Sequence, residues 1–489
     1  MTIIEAMREE QLFSPVFGDK GTWRAWEAFL AAAFALPMSE AQLEVFRQPT
    51  GRKLPPSSAA REVWTVVGRR GGKSRVAALL ATYLACFRHY RRILAAGEVG
   101  TLPIVAADRR QARTVMGYVK GLLHGCPMLA QLVVHETAES VELSTGCRIE
   151  IHTASWRSLR GYTVVGCVLD EIAFWRSEDS ANPDHEIVGA LRPAMGTVPG
   201  AVLVAISSPY ARRGIMWEQY QRHHGKDGDD VLVWQADTAS MNPSVDRQVI
   251  EAAYEADPDA AAAEYGGQFR RDLEAFVSVE VIAAATITGR FELPPTDRVR
   301  YAAFADPSGG SADSFTVAVS HSEQRGDDWT VVLDAVREIV PPFSPDSAVA
   351  EITSLLKTYG CRHVLADRFA GVWVVEAFAR HGIHCEQSAD PKSTIYGNVL
   401  PLLNAGRVEL LDLPRLRAQL LGLERRTGRS GKDTIDHAPN QHDDVANSAA
   451  GSLLMAAAGC GRRALPQVAG TPRTFTPESR RLDPYDMPA

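Results

Sequence analysis

Apolar positions in the first sixty residues recur at helical spacing. Trp23, Trp26, Phe29 and Leu30 stand at i, i+3, i+6 and i+7, one face of an amphipathic helix whose stripe is predicted to be core. The cluster Pro55–Ser58 breaks that pattern. From Val63 an apolar run enters a glycine turn and then a helix predicted over Ser74 to about Cys86. Further β-like runs follow at Pro103–Ala107, Cys147–His152, Val164–Leu169 and Ala201–Ile206, separated by segments such as Arg109–Leu123 that read as helices. Strands alternating with helices predict a mostly parallel sheet.

Between about Asn242 and Arg298 the strand pattern stops, and the alanine- and acid-rich stretch DPDAAAAEYGGQFRRDLEAF reads as a helical, surface-lying connector. A second strand-rich region opens at Tyr301: YAAFAD, FTVAVS and WTVVLDAV, then a helix near Ser347–Tyr359, then the short strand HVLAD. These form a second α/β unit. The tail beyond about Ala458 has five prolines and no apolar periodicity, so it is expected to be disordered or to fold on a partner. The expected division is 1–245, a connector over 246–297, a second domain over 298–458, and a tail over 459–489. No internal repeat is apparent.

Composition narrows the class. A chain of 489 residues suggests two to four domains at roughly 100 to 200 residues each. With 45% hydrophobic and 23% charged residues it is neither disordered, collagen-like nor a coiled coil. Lys and Arg number 52 against 59 Asp and Glu, and the net charge of −7 argues against coating nucleic acid by bulk positive charge, though not against a local basic channel. Seven scattered cysteines with no C-x-x-C pair indicate neither a disulfide framework nor a cysteine zinc site, as expected of a reducing compartment. The acidic N-terminus and the lack of a run of about 18 uncharged apolar residues predict a chain that neither spans a membrane nor is exported by a signal peptide.

Two constellations carry chemistry. The segment Val63-Trp-Thr-Val-Val-Gly-Arg-Arg-Gly-Gly-Lys-Ser74 runs strand, glycine loop, helix, the context that makes a phosphate-binding loop credible. Glycines let backbone N–H groups close around phosphates, and the helix adds its positive N-terminal end. Gly68, Arg69, Arg70, Gly71 and Gly72 would form the cradle, Lys73 would neutralise the β and γ phosphates, and the Ser74 hydroxyl would bind Mg²⁺. The pattern G-x-x-x-x-G-K-[ST] asks for glycine where Val67 stands, with Gly68 one place late. About 100 residues on, the apolar strand Tyr162–Leu169 ends in Asp170 and Glu171, a carboxylate for the metal and one for the attacking water. A further strand from Ala201 ends in Ser207-Ser208-Pro209, where the γ-phosphate state can be sensed, unless this is a plain strand exit. In the second constellation, Asp306 ends YAAFAD, Asp367 ends HVLAD, and Asp443-Asp444 start a helix rich in small residues. Carboxylates so placed can converge on two Mg²⁺ or Mn²⁺ ions about 4 Å apart and cut phosphodiesters by in-line attack of water. His442 either orients a phosphate or caps the helix.

A Gly-Arg-Arg-Gly-Gly-Lys-Ser loop followed by these separated aspartates resembles the large terminase subunit of tailed bacteriophages, over roughly Thr50 to Ala458. The resemblance implies a P-loop NTPase parallel-sheet domain followed by a ribonuclease H-like α/β nuclease domain. Departure at the first glycine and arginines inside the loop, as with Val67, Arg69 and Arg70, fit that family. It implies Lys73 and Ser74 as phosphate and Mg²⁺ contacts, Asp170 as the metal carboxylate, Glu171 as the catalytic one, and Ser207-Ser208-Pro209 as the coupling motif. Asp306, Asp367 and Asp443 or Asp444 are the implied nuclease ligands, with Asp444 slightly favoured.

It further implies ATP with Mg²⁺, two Mg²⁺ or Mn²⁺ in the nuclease site, double-stranded DNA, a small terminase subunit and the portal protein of the procapsid as partners, a homo-oligomeric ring during packaging, and the host bacterial cytoplasm as the setting. An arginine finger is expected from a neighbouring subunit. Arg157 and Arg160 are the candidates, with Arg109, Arg110 and Arg113 as alternatives. Adenine contact falls to Gln48 or the aromatics around Trp23. Arg368, Lys392, Arg407, Arg425, Arg426 and Arg429 are candidate DNA-phosphate contacts. Two other readings stay open from sequence: an ATPase-nuclease of a repair system or mobile element, and a DNA-binding scaffold with an ATP switch and a decayed nuclease.

Overall fold

The computed structural model describes every residue except 19, 155–160, 176–182, 271, 312, 327, 368–370, 428–432, 439–440 and 460–489. Two compact units result. The first holds Met1–Ala284 with Lys392–Thr394 and Asp412–Ala446; the second holds Ala285–Pro391, Ile395–Leu411 and the residues from Asn447 on. The stretch expected as a connector is divided between them at Ala284, and its helices Arg247–Ala256 and Pro258–Glu264 belong to the first.

The first unit is built on strands β1 (Glu62–Val67), β2 (Gly100–Ala106), β3 (Val133–Glu136), β4 (Ser140–Leu143), β5 (Cys147–Thr153), β6 (Thr163–Val164), β7 (Cys167–Asp170), β8 (Leu203–Ser207) and β9 (Val231–Ala236). Their order is β3-β4-β5-β2-β7-β8-β1-β9, with β6 also beside β2. Pairings from β5 across to β9 are parallel, and β3 and β4 add an antiparallel edge. β1, β2, β7, β8 and β9 are buried on both faces because both are covered, whereas β5, next to the antiparallel edge, buries only Cys147, Ile149 and Ile151 on one face. Along β1, Val63 and Val67 face a core shared with helices Lys20–Ala33 and Lys73–Phe87, whereas Trp64 and Val66 face a second core with helices Pro183–Met195 and Gly214–His223. Each such side chain, fully buried, contributes roughly 1.5–3 kcal/mol. The predicted stripe of Trp23, Trp26, Phe29 and Leu30 is buried in the first of these cores. A small antiparallel sheet joins β10 (Leu273–Ala275) to Leu423–Thr427 and Asp433–His437.

The second unit is a seven-stranded sheet of β11 (Thr286–Ile287), β12 (Tyr301–Asp306), β13 (Phe315–Arg325), β14 (Asp328–Ile339), β15 (His363–Ala366), β16 (His384–Gln387) and β17 (Val408–Leu411), in the order β11-β17-β14-β13-β12-β15-β16. An antiparallel β12-β13-β14 meander continues into parallel β15 and β16, the ribonuclease H-like arrangement. Helix Pro345–Thr358 packs Val349, Ile352 and Leu356 against one face. Helix Asp444–Ala458 uses small residues for close approach: a Cβ on Gly451 would lie 2.3 Å from the Phe304 ring.

The predicted run Val164–Leu169 is split into β6 and β7; β3, β4, β9, β16 and β17 add strands that the apolar pattern did not predict, and the short β10 and β11 fall in the stretch where strands were expected to stop. The six described cysteines are buried and free. Among the described residues no helix is long and apolar enough to cross a membrane.

Candidate functional site

The loop from Gly68 to Gly72 leaves β1 and enters helix Lys73–Phe87 through two left-handed residues, Arg70 (φ 65°) and Gly72 (φ 97°). Gly68 stands one place late for a physical reason: a Cβ there would lie 2.3 Å from Thr238 Oγ1 and 2.5 Å from the Tyr265 carbonyl. Outside donors hold three consecutive loop carbonyls. Thr238 Oγ1 donates to Arg69 O at 2.8 Å, Asn242 Nδ2 to Arg70 O at 2.8 Å and Trp26 Nε1 to Gly71 O at 2.8 Å. A trans peptide points its N–H opposite to its C=O, so these anchors turn the N–H groups of Arg70, Gly71 and Gly72 the other way. Trp26 therefore buttresses the loop, and the Trp23 ring would lie 3.3 Å from a Cβ on Gly72. Gln48 instead lines a cavity of about 620 Å³ with Arg24, Gln235, Asp237 and Tyr254.

Beyond the loop, Lys73 is buried and donates from Nζ to Val67 O (2.7 Å), Gly68 O (3.2 Å) and Ser208 Oγ (2.9 Å), with Glu171 Oε1 at 3.7 Å. Burial pulls its pKa down, opposed by the charges of Glu171 and Asp170. Asp170 ends β7, and burial, then repulsion from Glu171, push its carboxyl up to about 7. Its Oδ1 is buried and has no hydrogen-bond partner among the described residues. An unsatisfied buried carboxylate oxygen with a raised pKa suits a hard cation, which would relieve both penalties. Glu171 sits at φ 51°, left-handed for a non-glycine residue, and its Oε2 accepts from Ser207 Oγ and Ser208 N, each at 3.0 Å. This contact follows from strand order: β8 lies between β1 and β7, so its end delivers Ser207 and Ser208 between Lys73 and Glu171. The group opens on a cleft of about 800 Å³ lined by Arg69, Asp108, Gln111, Glu171, Ser208 and Arg270.

Of the arginines named as fingers, Arg109 and Arg113 both pair with Glu139 at 2.7 Å, and Arg110 is exposed. Arg157 and Arg160 lie outside the described residues. Behind the serines, Tyr210 donates its hydroxyl to Glu424 Oε2 at 2.7 Å, and Arg213 bonds the other oxygen of this buried carboxylate. Glu424 carries no sequence signal, since its partners are more than 200 positions away.

In the second unit, β12 and β15 run parallel with Ala305 opposite Ala366, so Asp306 and Asp367 emerge side by side. The Asp367 N–H donates to Ala305 O at 2.9 Å. Asn447 Nδ2 donates to both carboxylates, at 2.8 Å to Asp306 Oδ2 and 3.0 Å to Asp367 Oδ2. Sequence reasoning missed Asn447, although it stands three places after Asp444 on the same helix. Two adjacent carboxylates, with Asp367 only 5% exposed, form an all-oxygen donor set that fits Mg²⁺ or Mn²⁺.

Asp443 and Asp444 fall in the first unit. Asp443 is buried and lies 3.3 Å from Lys392 Nζ, which is 2.6 Å from Asp436; Asp444 is the first residue of its helix, and His442 is exposed. Lys392, Arg425 and Arg426 also fall in the first unit. Arg425 pairs with Asp433 and Arg407 with Asp328, while Arg426 is exposed. Arg368 and Arg429 lie outside the described residues.

No protein-family model and no curated protein matches this chain. Among solved structures it is similar to the large terminase of bacteriophage HK97, with 14% identity over 88% of this chain and 99% of that one, at a TM-score of 0.38. The large terminase ATPase domain of Thermus phage P74-26 is 16% identical over 49% of this chain and 97% of its own, with a TM-score of 0.36. The large terminase nuclease of thermophilic phage G20c with bound magnesium is 16% identical over 36% of this chain and 94% of its own, with a TM-score of 0.30.

Proposed function

We propose that this chain is a viral DNA-packaging motor subunit: ATP hydrolysis drives double-stranded DNA into a procapsid, and a metal-dependent endonuclease cuts concatemeric DNA. The observation that carries the ATPase reading is the convergence of Lys73, Asp170, Glu171 and Ser208 at the end of the phosphate loop. The N–H groups of Arg70 and Gly72, turned away from the anchored carbonyls, bind phosphate oxygens, and Lys73 exchanges its carbonyl partners for the β and γ phosphates. Ser74 and Asp170 are the residues to hold Mg²⁺, which when bound neutralises charge developing on the transferred phosphoryl group. Glu171 orients the attacking water. Its bonds to Ser207 and Ser208 link that water to β8, so loss of the γ-phosphate is felt by the strand end. The exposed Arg69 and Arg70 are placed to meet the nucleotide or a neighbouring subunit.

For the nuclease, Asp306 and Asp367 would hold Mg²⁺ or Mn²⁺, which when bound would activate water for attack on a phosphodiester, and the resemblance adds Asp443 or Asp444. Asn447 keeps the two strand-end carboxylates oriented. Double-stranded DNA, a small terminase subunit, a portal protein and a ring of copies are the partners this reading requires.

Separate substitutions test the two halves. Lys73→Ala is expected to abolish ATP turnover while plasmid cleavage in Mn²⁺ persists. Asp306→Ala is expected to abolish cleavage while ATP turnover persists. Retained turnover in the first variant, or parental cleavage by the second, would overturn the corresponding half.

A further inference from the structure

β16 is the edge strand of the second unit's sheet and pairs in parallel with β15, His363 opposite His384 and Leu365 opposite Glu386. Alternate residues of a strand share a face, so His363, His384 and Glu386 project from the same side, and all three are exposed. His384 Nε2 lies 2.8 Å from Glu386 Oε1, His363 Nε2 lies 3.5 Å from Glu386 Oε2, and the two rings are 5.4 Å apart at their centroids. One donor atom from each can be chosen so that all lie within 4.8 Å of one another. A tetrahedral zinc with bonds of about 2.0–2.1 Å sets its ligands roughly 3.4 Å apart, which exposed side chains reach by rotation alone. The backbone has already placed the three residues, so little ordering is left to binding.

A second trio, Asp436, His437 and Asp443, meets the same distance condition, but the Lys392 ammonium sits 2.6 Å from Asp436 and 3.3 Å from Asp443 and supplies the positive charge there. At the first trio, Glu386 pairs with the two histidines, and among the described residues no Lys or Arg joins them. Two imidazoles and one carboxylate make a borderline donor set that prefers Zn²⁺, Co²⁺ or Ni²⁺ to Mg²⁺. An exposed His–Glu ion pair is screened by water and adds little to stability, so stability gives little reason for two histidines to share one carboxylate.

We infer that His363, His384 and Glu386 form a binding site for a Zn²⁺-class cation, with the remaining coordination positions open to water. The site is separate from the Asp306–Asp367 pair and does not depend on its nuclease role. The test is equilibrium dialysis of the full chain against Zn²⁺ in excess Mg²⁺, which occupies carboxylate sites and competes poorly for imidazole. The parent and Asp306→Asn are expected to bind one Zn²⁺ equivalent that His384→Ala and the His363→Ala, His384→Ala double variant lose. The variants should keep the parent's circular dichroism, because the removed side chains are on the surface. Zn²⁺ uptake by the double variant equal to the parent's would overturn the site, as would loss of that equivalent in Asp306→Asn alone.

Discussion

One amide nitrogen, Asn447 Nδ2, donates to Asp306 and Asp367 at once. Two carboxylates held this close repel, and a shared donor lowers that repulsion without neutralising either charge. The amide therefore orients the pair for cations and does not replace them. Asn447→Ala removes the shared donor while keeping a helix-compatible side chain. It is expected to lower Mn²⁺-dependent plasmid cleavage by about ten- to a hundredfold, the usual cost of losing an orienting partner. ATP turnover should be unchanged. Parental cleavage rates in that variant would show that the bridge is dispensable. Asp306 and Asp367 were legible because each closes an apolar run. Asn447 was not, because an asparagine in a small-residue helix means nothing until the fold brings strands 80 and 141 positions away against it.

Elements were legible where one physical signal dominated. β1, β2 and β8 show as apolar runs because both their faces are buried, β5 shows by the alternation of buried Cys147, Ile149 and Ile151 with half-buried polar residues, and the loop after β1 shows through its glycines. β3 and β4 sit at an edge with half-exposed patterns, and Leu423–Thr427 and Asp433–His437 are rich in charge, so hydrophobicity did not mark them. Leu423–Thr427 nonetheless carries the buried Glu424 that ties Tyr210 and Arg213, just beyond the serines at the end of β8. Glu424→Ala leaves the Arg213 guanidinium without its carboxylate in a largely buried place. It should destabilise the fold by about 3 kcal/mol, read from denaturant midpoints, whereas a shift within noise would mean the pair is solvent-compensated.

A pH signature belongs to helix Pro183–Met195. His185 bonds Asp184 at 3.1 Å and Glu218 at 3.0 Å, and those partners raise its pKa to about 9 despite burial. A folded pKa above the unfolded 6.5 means this stabilisation is complete below 6.5 and lost as pH rises through 9. Asp184 is depressed by its bonds to His185 and the Ile215 N–H, in spite of burial, so its contribution is present above the unfolded carboxylate value and lost in acid. His185→Gln should therefore lower Tm near neutrality and converge with the parent well above pH 9. A constant gap across that range would mean that the charge of His185 plays no part.

Across the whole chain, the net charge of −7 and the ion pairing of its cations bear on the same question. Lys392 is engaged by Asp436 and Asp443, Arg407 by Asp328, and Arg425 by Asp433, so three of the four described candidate cations are already paired. On the proposed function, DNA phosphates would compete with these carboxylates, and every phosphate that a cation neutralises would release condensed counterions. The logarithm of the DNA association constant should fall linearly with the logarithm of salt, by about 0.9 per phosphate so neutralised. The expected line is clearly sloped but corresponds to a small number of phosphates, because Lys392, Arg407 and Arg425 must first give up a partner. Exposed Arg426 is the cation best placed to contribute. Arg426→Ala should weaken binding to unrelated sequences alike and reduce the slope by about 1 if it meets a phosphate. A parent whose affinity is flat in salt would exclude backbone-dominated binding. An unchanged slope in the variant would move the DNA contact away from the strand Leu423–Thr427 altogether.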